Sequence, residues 1–481
     1  MAFKTKAEIE ASSSDLVQIP EPADLKKQLN LSPDQAELLK MLKTWWLGKE
    51  QCMVVKGKPG TGKTFITKMF TRTMADTIPK FTAPTHEAAY QLELALGEVL
   101  DPPCTTHSAL GLSMSMNSSK QKLYQRKLPD DFGLYNLMVV DEASMADKQN
   151  PKIRKSERGL IDYALDSGIR ILWLGDWAQL PPVNSENGTS PVFELGYRSF
   201  ELSTVKRNSG VILAYSDLVR AELTNPIKNL PKPLDGIEQF TRNASGLIDL
   251  GLDDFEKIIT GKISILVWTN AATKYSRIPG AAEYSHMIRC RLFGEALASE
   301  SPYIPGDQVL FSSPLYLVEG DPKMHERLAV ETYSKKDFTI AASVNTKGKV
   351  VQVETLSLMG VEVYKLSIES AQKGNLVAYT PTRGGSVKYA KKLEALRTEA
   401  VETNSGQEAA KLWQAFHLYK GCFAELKYNY CKTTHRAQGS TMEGSIVDVG
   451  NILQNRERLV AFKSIHVAVS RPTQTLKLIR G

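Results

Sequence analysis

Residues 54–64 read VVKGKPGTGKT, and Gly57, Gly62, Lys63 and Thr64 match the pattern G-x-x-x-x-G-K-[ST] without a mismatch. Val54 and Val55 close a short apolar run with the character of a buried strand. The glycines let the following turn, Lys58-Pro59-Gly60-Thr61, curl so that backbone N–H groups converge on a phosphate. The pattern predicts a helix from Lys63, whose N-terminus adds partial positive charge. Lys63 would then reach the β- and γ-phosphates, and the Thr64 hydroxyl would hold Mg²⁺. A chance glycine-rich turn has no reason to sit between an apolar strand and a helix in that order. The first expectation is therefore nucleoside triphosphate binding.

Working outward, the chain has 481 residues, 42% of them hydrophobic and 23% charged, which fits a globular protein of roughly three domains. No apolar run is long enough to cross a bilayer, so no membrane partner is expected. The first residues, MAFKTKAEIEASSSDLVQIPEP, lack the apolar core of a signal peptide and read as a flexible lead. The five cysteines form no C-x-x-C pair, which argues against a zinc site or disulfide framework and fits a reducing, cytoplasmic setting. The net charge of +7 permits a polyanionic partner without requiring one.

The first half alternates strand-like and helix-like segments. Apolar runs at 51–56, 80–84, 136–141 and 170–175 are separated by helical patterns such as 63–76 and 86–99. This rhythm predicts an α/β fold with a parallel sheet covered on both faces, its ligands at the carboxyl ends of the strands. A second α/β region begins near residue 200 and includes the strand-like ISILVWTN at 263–270. From 305 to about 380 the texture changes to short alternating strands with Gly and Pro turns, which predicts a small all-β insertion. Residues 387–428 carry apolar positions at helical spacing around an NSG turn at 404–406, the pattern of a helical hairpin. The last segment reads as strands at 445–450, 466–472 (HVAVSRP) and 475–479.

Two further motifs follow strand-like runs. VVDEASM (139–145) ends an apolar run in two acids, a division of labour in which Asp141 holds the metal and Glu142 takes a proton from the attacking water. In LGDWAQLPPV (174–183), Gln179 could bond the γ-phosphate or that water, with Pro181 and Pro182 stiffening the segment behind it. No additional acidic cluster follows these motifs, which argues against a nuclease.

The order GKPGTGKT, TAPTHEAA, TTHSALGL, VVDEASM, GDWAQLPPV, VKRNS, THRAQGSTMEGS and HVAVSRP resembles the superfamily 1B DNA helicases of the RecD-like branch, from about Leu31 to Leu478. The resemblance implies two RecA-like parallel-sheet P-loop NTPase domains with a small SH3-like β insertion and a helical hairpin. By position it implies a lead at 1–30, one RecA-like domain at 31–200, a second at 201–304 and 429–481, the insertion at 305–386 and the hairpin at 387–428. It also implies ATP and Mg²⁺ as cofactors. Gln35 resembles an adenine-reading glutamine, and Arg207 and Arg471 resemble arginines that reach the γ-phosphate, the latter from the second domain. Thr85, His86, His107, Ser108, Pro182, Thr434 and His435 fall where relatives contact DNA, and Gln438 and Gly439 where the DNA groove is linked to the ATP site. Residues 113–131 fall where relatives carry a separation pin, with Leu123 or Tyr124 as the stacking residue and NSS as its turn, although a solvated basic loop fits the stretch as well. Trp413 reads as a core residue of the hairpin or as a base-stacking platform, with core the safer reading because Trp on a helical stripe is usually buried.

The resulting expectation is a monomeric ATP-dependent DNA helicase moving 5′ to 3′ on single-stranded DNA and opening single-strand/duplex junctions. It would act in the cytoplasm or nucleoid of a bacterial or phage-infected cell, in replication, recombination or repair, alongside single-strand-binding or replication proteins. Polarity comes from the resemblance alone. Two alternatives stay open at this point: an RNA-directed helicase of the same superfamily, and a nucleotide-dependent loader or switch that does not translocate.

Overall fold

The computed structural model describes residues 31–97, 101–116, 122–148, 159–182, 188–205, 210–224, 229–243, 246–272, 278–318, 338–403 and 406–480. The chain forms two compact units, residues 1–241 with 433–481, and residues 242–432.

The first unit opens with helix α1 (Pro33–Leu47), whose buried face repeats at helical spacing through Leu38, Leu42 and Trp45. There follow β1 (Cys52–Gly57), α2 (Lys63–Thr73), β2 (Pro79–Ala83), α3 (His86–Leu96), β3 (Cys104–Thr105), β4 (Leu112–Met116), β5 (Lys122–Arg126), β6 (Leu137–Val140), β7 (Arg170–Gly175) and β8 (Arg198–Leu202). Six of these strands make one sheet in the order β3-β2-β6-β7-β1-β8, and every pairing in it is parallel. Alternate residues face opposite layers. Met53 and Val55 pack with α1, α2 and α3, while Cys52 and Val54 pack with Leu160 and Ile161 on the other side. Burial on both faces explains why these strands are continuous apolar runs.

The sheet delivers its motifs to one edge. The turns after β1, β2, β6 and β7 carry Lys58–Lys63, Thr85-His86, Asp141-Glu142 and Asp176–Gln179, all at the carboxyl ends of the strands. β4 and β5 pair antiparallel with Met114 opposite Tyr124, so a hairpin occupies the stretch expected to hold a pin. Its NSS turn and the side chains of Leu123 and Tyr124 lie outside the described residues, as do Arg207 and the lead at 1–30.

The rest of the first unit contains a second set of parallel strands, Met442–Asp448, Pro472–Ile479 and Glu238–Phe240. A helix at Arg458–Val469 connects the first two and packs against the helix Gly210–Ala221. The reading of HVAVSRP as a strand is corrected here: His466–Val469 end this helix, and the strand begins at Pro472. Every residue from Val460 to Val469 is buried, so the helix has no polar face to give it a period. Residues 201–241 and 433–481 lie in the phosphate-loop unit and 242–304 in the other.

In the second unit, Gln308–Phe311, Lys347–Leu358, Val361–Ser370, Gly374–Pro381 and Leu426–Tyr428 form a five-stranded antiparallel sheet. Two helices, Arg383–Glu402 and Gly406–Gly421, lay Leu396, Leu418 and Tyr419 against Leu358, Val361 and Val363 of that sheet. The first helix starts at Arg383 rather than at 387 because the Thr382 hydroxyl caps it, accepting from the Gly385 N–H at 3.0 Å. Trp413 is not in this core. It is half-buried, its ring 5.5 Å from Phe416 and 6.1 Å from His417, which corrects the expectation of a buried core tryptophan. Among the described residues, no helix is long and apolar enough to cross a membrane.

Candidate functional site

The phosphate loop leaves β1 at Gly57 and turns into α2 at Gly62, which has a left-handed φ of 87°. A side chain at Gly62 would be strained, and its Cβ would stand 2.6 Å from the Gln35 amide nitrogen. Gln35 is itself buried. Its Nε2 donates to the Thr61 carbonyl at 2.9 Å, and its Oε1 accepts from the Ser32 N–H at 3.2 Å. Gln35 therefore pins the loop to the start of α1 and does not line the cleft. Lys63 donates from Nζ to the carbonyl oxygens of Gly57 at 2.7 Å and Lys58 at 3.2 Å, lying back across its own loop. Lys58 pairs with Asp217 at 2.6 Å.

A cleft of 580 Å³ opens beside this loop, lined by Pro59, Gly60, Gly62, Lys63, Thr64, Asp141, Glu142, Gln179, Gly439 and Arg471. Residues more than 400 positions apart in sequence thus meet around one space. Thr64 Oγ1 donates to Asp141 Oδ2 at 3.1 Å, and Asp141 Oδ1 accepts from the Glu142 N–H at 2.8 Å. A hydroxyl and a carboxylate oxygen side by side are hard donors of the kind magnesium takes. Glu142 has a φ of 52°, a left-handed conformation uncommon for a residue with a Cβ and held in place by its surroundings. Burial pushes its carboxyl above the ordinary range; the Arg471 guanidinium opposes the rise and Asp141 adds to it.

Gln179 is buried at the end of the β7 turn. Its Oε1 accepts from Gln438 Nε2 at 3.3 Å, and the same nitrogen lies 3.1 Å from Ser144 Oγ. Gln438 thus touches both the Glu142 segment and the Gln179 segment from behind without lining the cleft. Arg471 is buried, with Nη1 3.5 Å from the Ser440 carbonyl oxygen. Gly439 lies between these parts: a Cβ there would sit 3.8 Å from Glu142 Oε1 and 3.4 Å from Ala88. Thr441, Gln91 and Phe65 also line the cleft. Nothing in their residue types singles them out, although Phe65 follows GKPGTGKT directly and Thr441 lies within THRAQGSTMEGS.

The residues expected to touch DNA divide by exposure. His86 and Ser108 are exposed, and Thr85, His107 and His435 are half-buried. Thr85 caps α3, its hydroxyl accepting from the Ala88 N–H at 3.2 Å. Burial pushes the His435 imidazole below its usual range, so it would act as a neutral hydrogen-bonding group. Thr434 and Pro182 are corrected: both are buried in the fold. Thr434 Oγ1 is bonded to Ser464 Oγ at 2.5 Å, which leaves it to brace the segment rather than to reach a ligand.

Residues 30–229 match the family model described as AAA domain. The chain is 23% identical over 418 residues to the ATP-dependent DNA helicase dda of Enterobacteria phage T4, an alignment covering 83% of this chain and 88% of that protein. It is 29% identical over 163 residues to the ATP-dependent DNA helicase Pif1 of Bdellovibrio bacteriovorus, covering 32% of this chain and 34% of that one. Among solved structures, Bacteroides Pif1 bound to ssDNA is similar at 15% identity and a TM-score of 0.43, over 93% of this chain and 92% of that one. The matched domain holds the phosphate loop, the Asp141-Glu142 strand end and Gln179, and the alignment with the phage protein covers most of both chains. Over most of its length the chain is similar to a DNA helicase, and its first part carries the match to the AAA domain.

Proposed function

We propose that the protein is an ATP-dependent DNA helicase that translocates 5′ to 3′ on single-stranded DNA and opens duplexes at single-strand junctions. The observation that carries this is the single cleft joining a phosphate loop, a hydroxyl–carboxylate pair, a half-buried glutamate and a buried arginine.

When ATP enters, the Lys63 amine exchanges the Gly57 and Lys58 carbonyls for the β- and γ-phosphate oxygens. Thr64 and Asp141 would hold magnesium, which neutralises phosphate charge when bound. The Glu142 carboxylate takes the proton of the attacking water, and Gln179 orients that water. Arg471 stabilises the charge that builds on the γ-phosphoryl group, with Arg207 in the same role. Gln438 bonds Gln179 and lies in the segment that carries His435, so loss of the γ-phosphate is felt at a strand-contacting residue. Thr85, His86, His107, Ser108 and His435 hold backbone phosphates without reading sequence. Tyr124, on the β4–β5 hairpin, would stack at the junction. Strand affinity is expected to fall steeply with salt.

The test compares ATPase stimulation by single-stranded DNA and by RNA of matched sequence and length. The expected result is strong stimulation by DNA and weak stimulation by RNA. Preferential stimulation by RNA would move the protein to RNA substrates, and a rate indifferent to both would favour a loader or switch.

A further inference from the structure

Behind the cleft lies a buried group of charges that the chemistry above does not use. Asp176, at the end of β7, is fully buried, and its Oδ1 accepts from Arg220 Nη1 at 2.6 Å. The Arg220 guanidinium lies 4.7 Å over the ring of Trp177. Lys463 is 1% exposed and donates from Nζ to the Trp177 carbonyl at 2.5 Å. His466 is also 1% exposed; its Nε2 faces Asp176 Oδ2 at 3.8 Å, and its Nδ1 lies 3.4 Å from Ser216 Oγ. Burial pushes the His466 imidazole below its usual range, so the ring is neutral at physiological pH. With Nε2 protonated toward the carboxylate, Nδ1 accepts from the Ser216 hydroxyl.

A core needs none of these charges for stability, because buried ion pairs bring little net gain over apolar packing. Their placement is more telling. Asp176 begins the turn that carries Gln179, and its own carbonyl accepts from the Gln179 N–H at 3.0 Å. Lys463 and His466 belong to the helix that ends two residues before Arg471. The group therefore joins, through buried bonds, the two elements that aim Gln179 and Arg471 at the cleft. Among the described residues, Asp176 Oδ2 and His466 Nε2 have no hydrogen-bond partner, and each is aimed at the other. A shift of about 1 Å would complete the bond between them.

We propose that His466 is a positioning residue for ATP hydrolysis, coupling the Asp176–Gln179 turn to the helix that delivers Arg471. The inference rests on the ATPase reading above. His466 touches neither nucleotide nor strand, so its loss should leave ATP binding intact and misplace the groups that act in the transition state. Misplacement of that kind costs rate rather than affinity.

The experiment measures DNA-stimulated ATP turnover, KM for ATP and thermal melting for His466→Phe, His466→Gln, Arg471→Ala and the double variant His466→Phe/Arg471→Ala. His466→Phe is expected to lower kcat about tenfold with KM changed less than about twofold, and His466→Gln to restore most of the rate. In the Arg471→Ala background His466→Phe should cost nothing further, because its route is already cut. A loss that multiplies with that of Arg471→Ala, or a kcat unchanged in His466→Phe, overturns the proposal. If Arg471→Ala alone keeps full turnover, the role given to Arg471 falls and the coupling with it, a result separable from failure at His466. Should His466→Phe not fold, Ser216→Ala decides: about a threefold fall in kcat at constant KM supports the coupling, and no change overturns it.

Discussion

Lys63→Ala is expected to remove nearly all ATP turnover while leaving the protein folded. In the structure the Lys63 amine lies against the Gly57 and Lys58 carbonyls, and the loop keeps its separate bond from Gln35 Nε2 to the Thr61 carbonyl once the side chain is gone. Folding therefore loses little. With nucleotide bound, the lost contact is a charge-assisted bond to phosphate worth about 1.5–3 kcal/mol, or roughly 10–100-fold in affinity. Losing the same charge in the transition state costs about 10²–10³ in kcat. Isothermal titration with a non-hydrolysable ATP analogue and a phosphate-release assay measure the two separately. Turnover within tenfold of the parent protein would contradict the role given to Lys63.

Glu142→Gln is expected to lower kcat by about 10²–10⁴ with ATP affinity nearly unchanged. The amide keeps the size of the side chain and its place opposite Gly439, but it cannot take a proton. Burial, with Asp141 adding to it against the opposing Arg471 charge, raises the Glu142 carboxyl above its ordinary range. The sign of the pH effect follows. The base works only when ionised, so kcat falls as pH drops through the raised value. The acid limb of the parent profile should therefore lie at higher pH than an exposed carboxylate would give. The limb should be absent in Glu142→Gln. A parent profile flat down to pH 4.5, or an unchanged limb in the variant, would assign the proton to another group.

Much of this site was legible from residues in order. β1, β2, β6 and β7 are short apolar runs that end in polar motifs, because each strand is buried on both faces and opens at one edge. The glycine pattern at Gly57–Gly62 needed only its place after a strand. The misreadings have physical causes. The helix Arg458–Val469 is buried all round, so its apolar run carries no helical period and reads as strand. β3 has two residues, and β8 is an edge strand with mostly exposed side chains, so neither stands out as apolar. Gln35 was read for its amide chemistry, and that amide is engaged by Thr61 and Ser32. Thr434 sits beside a half-buried histidine, yet a short helix turns its hydroxyl inward to Ser464. The Asp176, Arg220, Lys463 and His466 group had no signal at all, since its members lie on three elements that meet only after folding.

The central claim is directional opening of duplex DNA driven by the Lys63–Glu142 cleft. The measurement is strand displacement on two partial duplexes of equal length and sequence, one with a 5′ single-stranded tail and one with a 3′ tail, with Lys63→Ala as control. ATP-dependent opening of the 5′-tailed duplex alone, lost in Lys63→Ala, is the expected result. Opening from the 3′ tail, or opening of neither duplex while ATP is still hydrolysed, would contradict it.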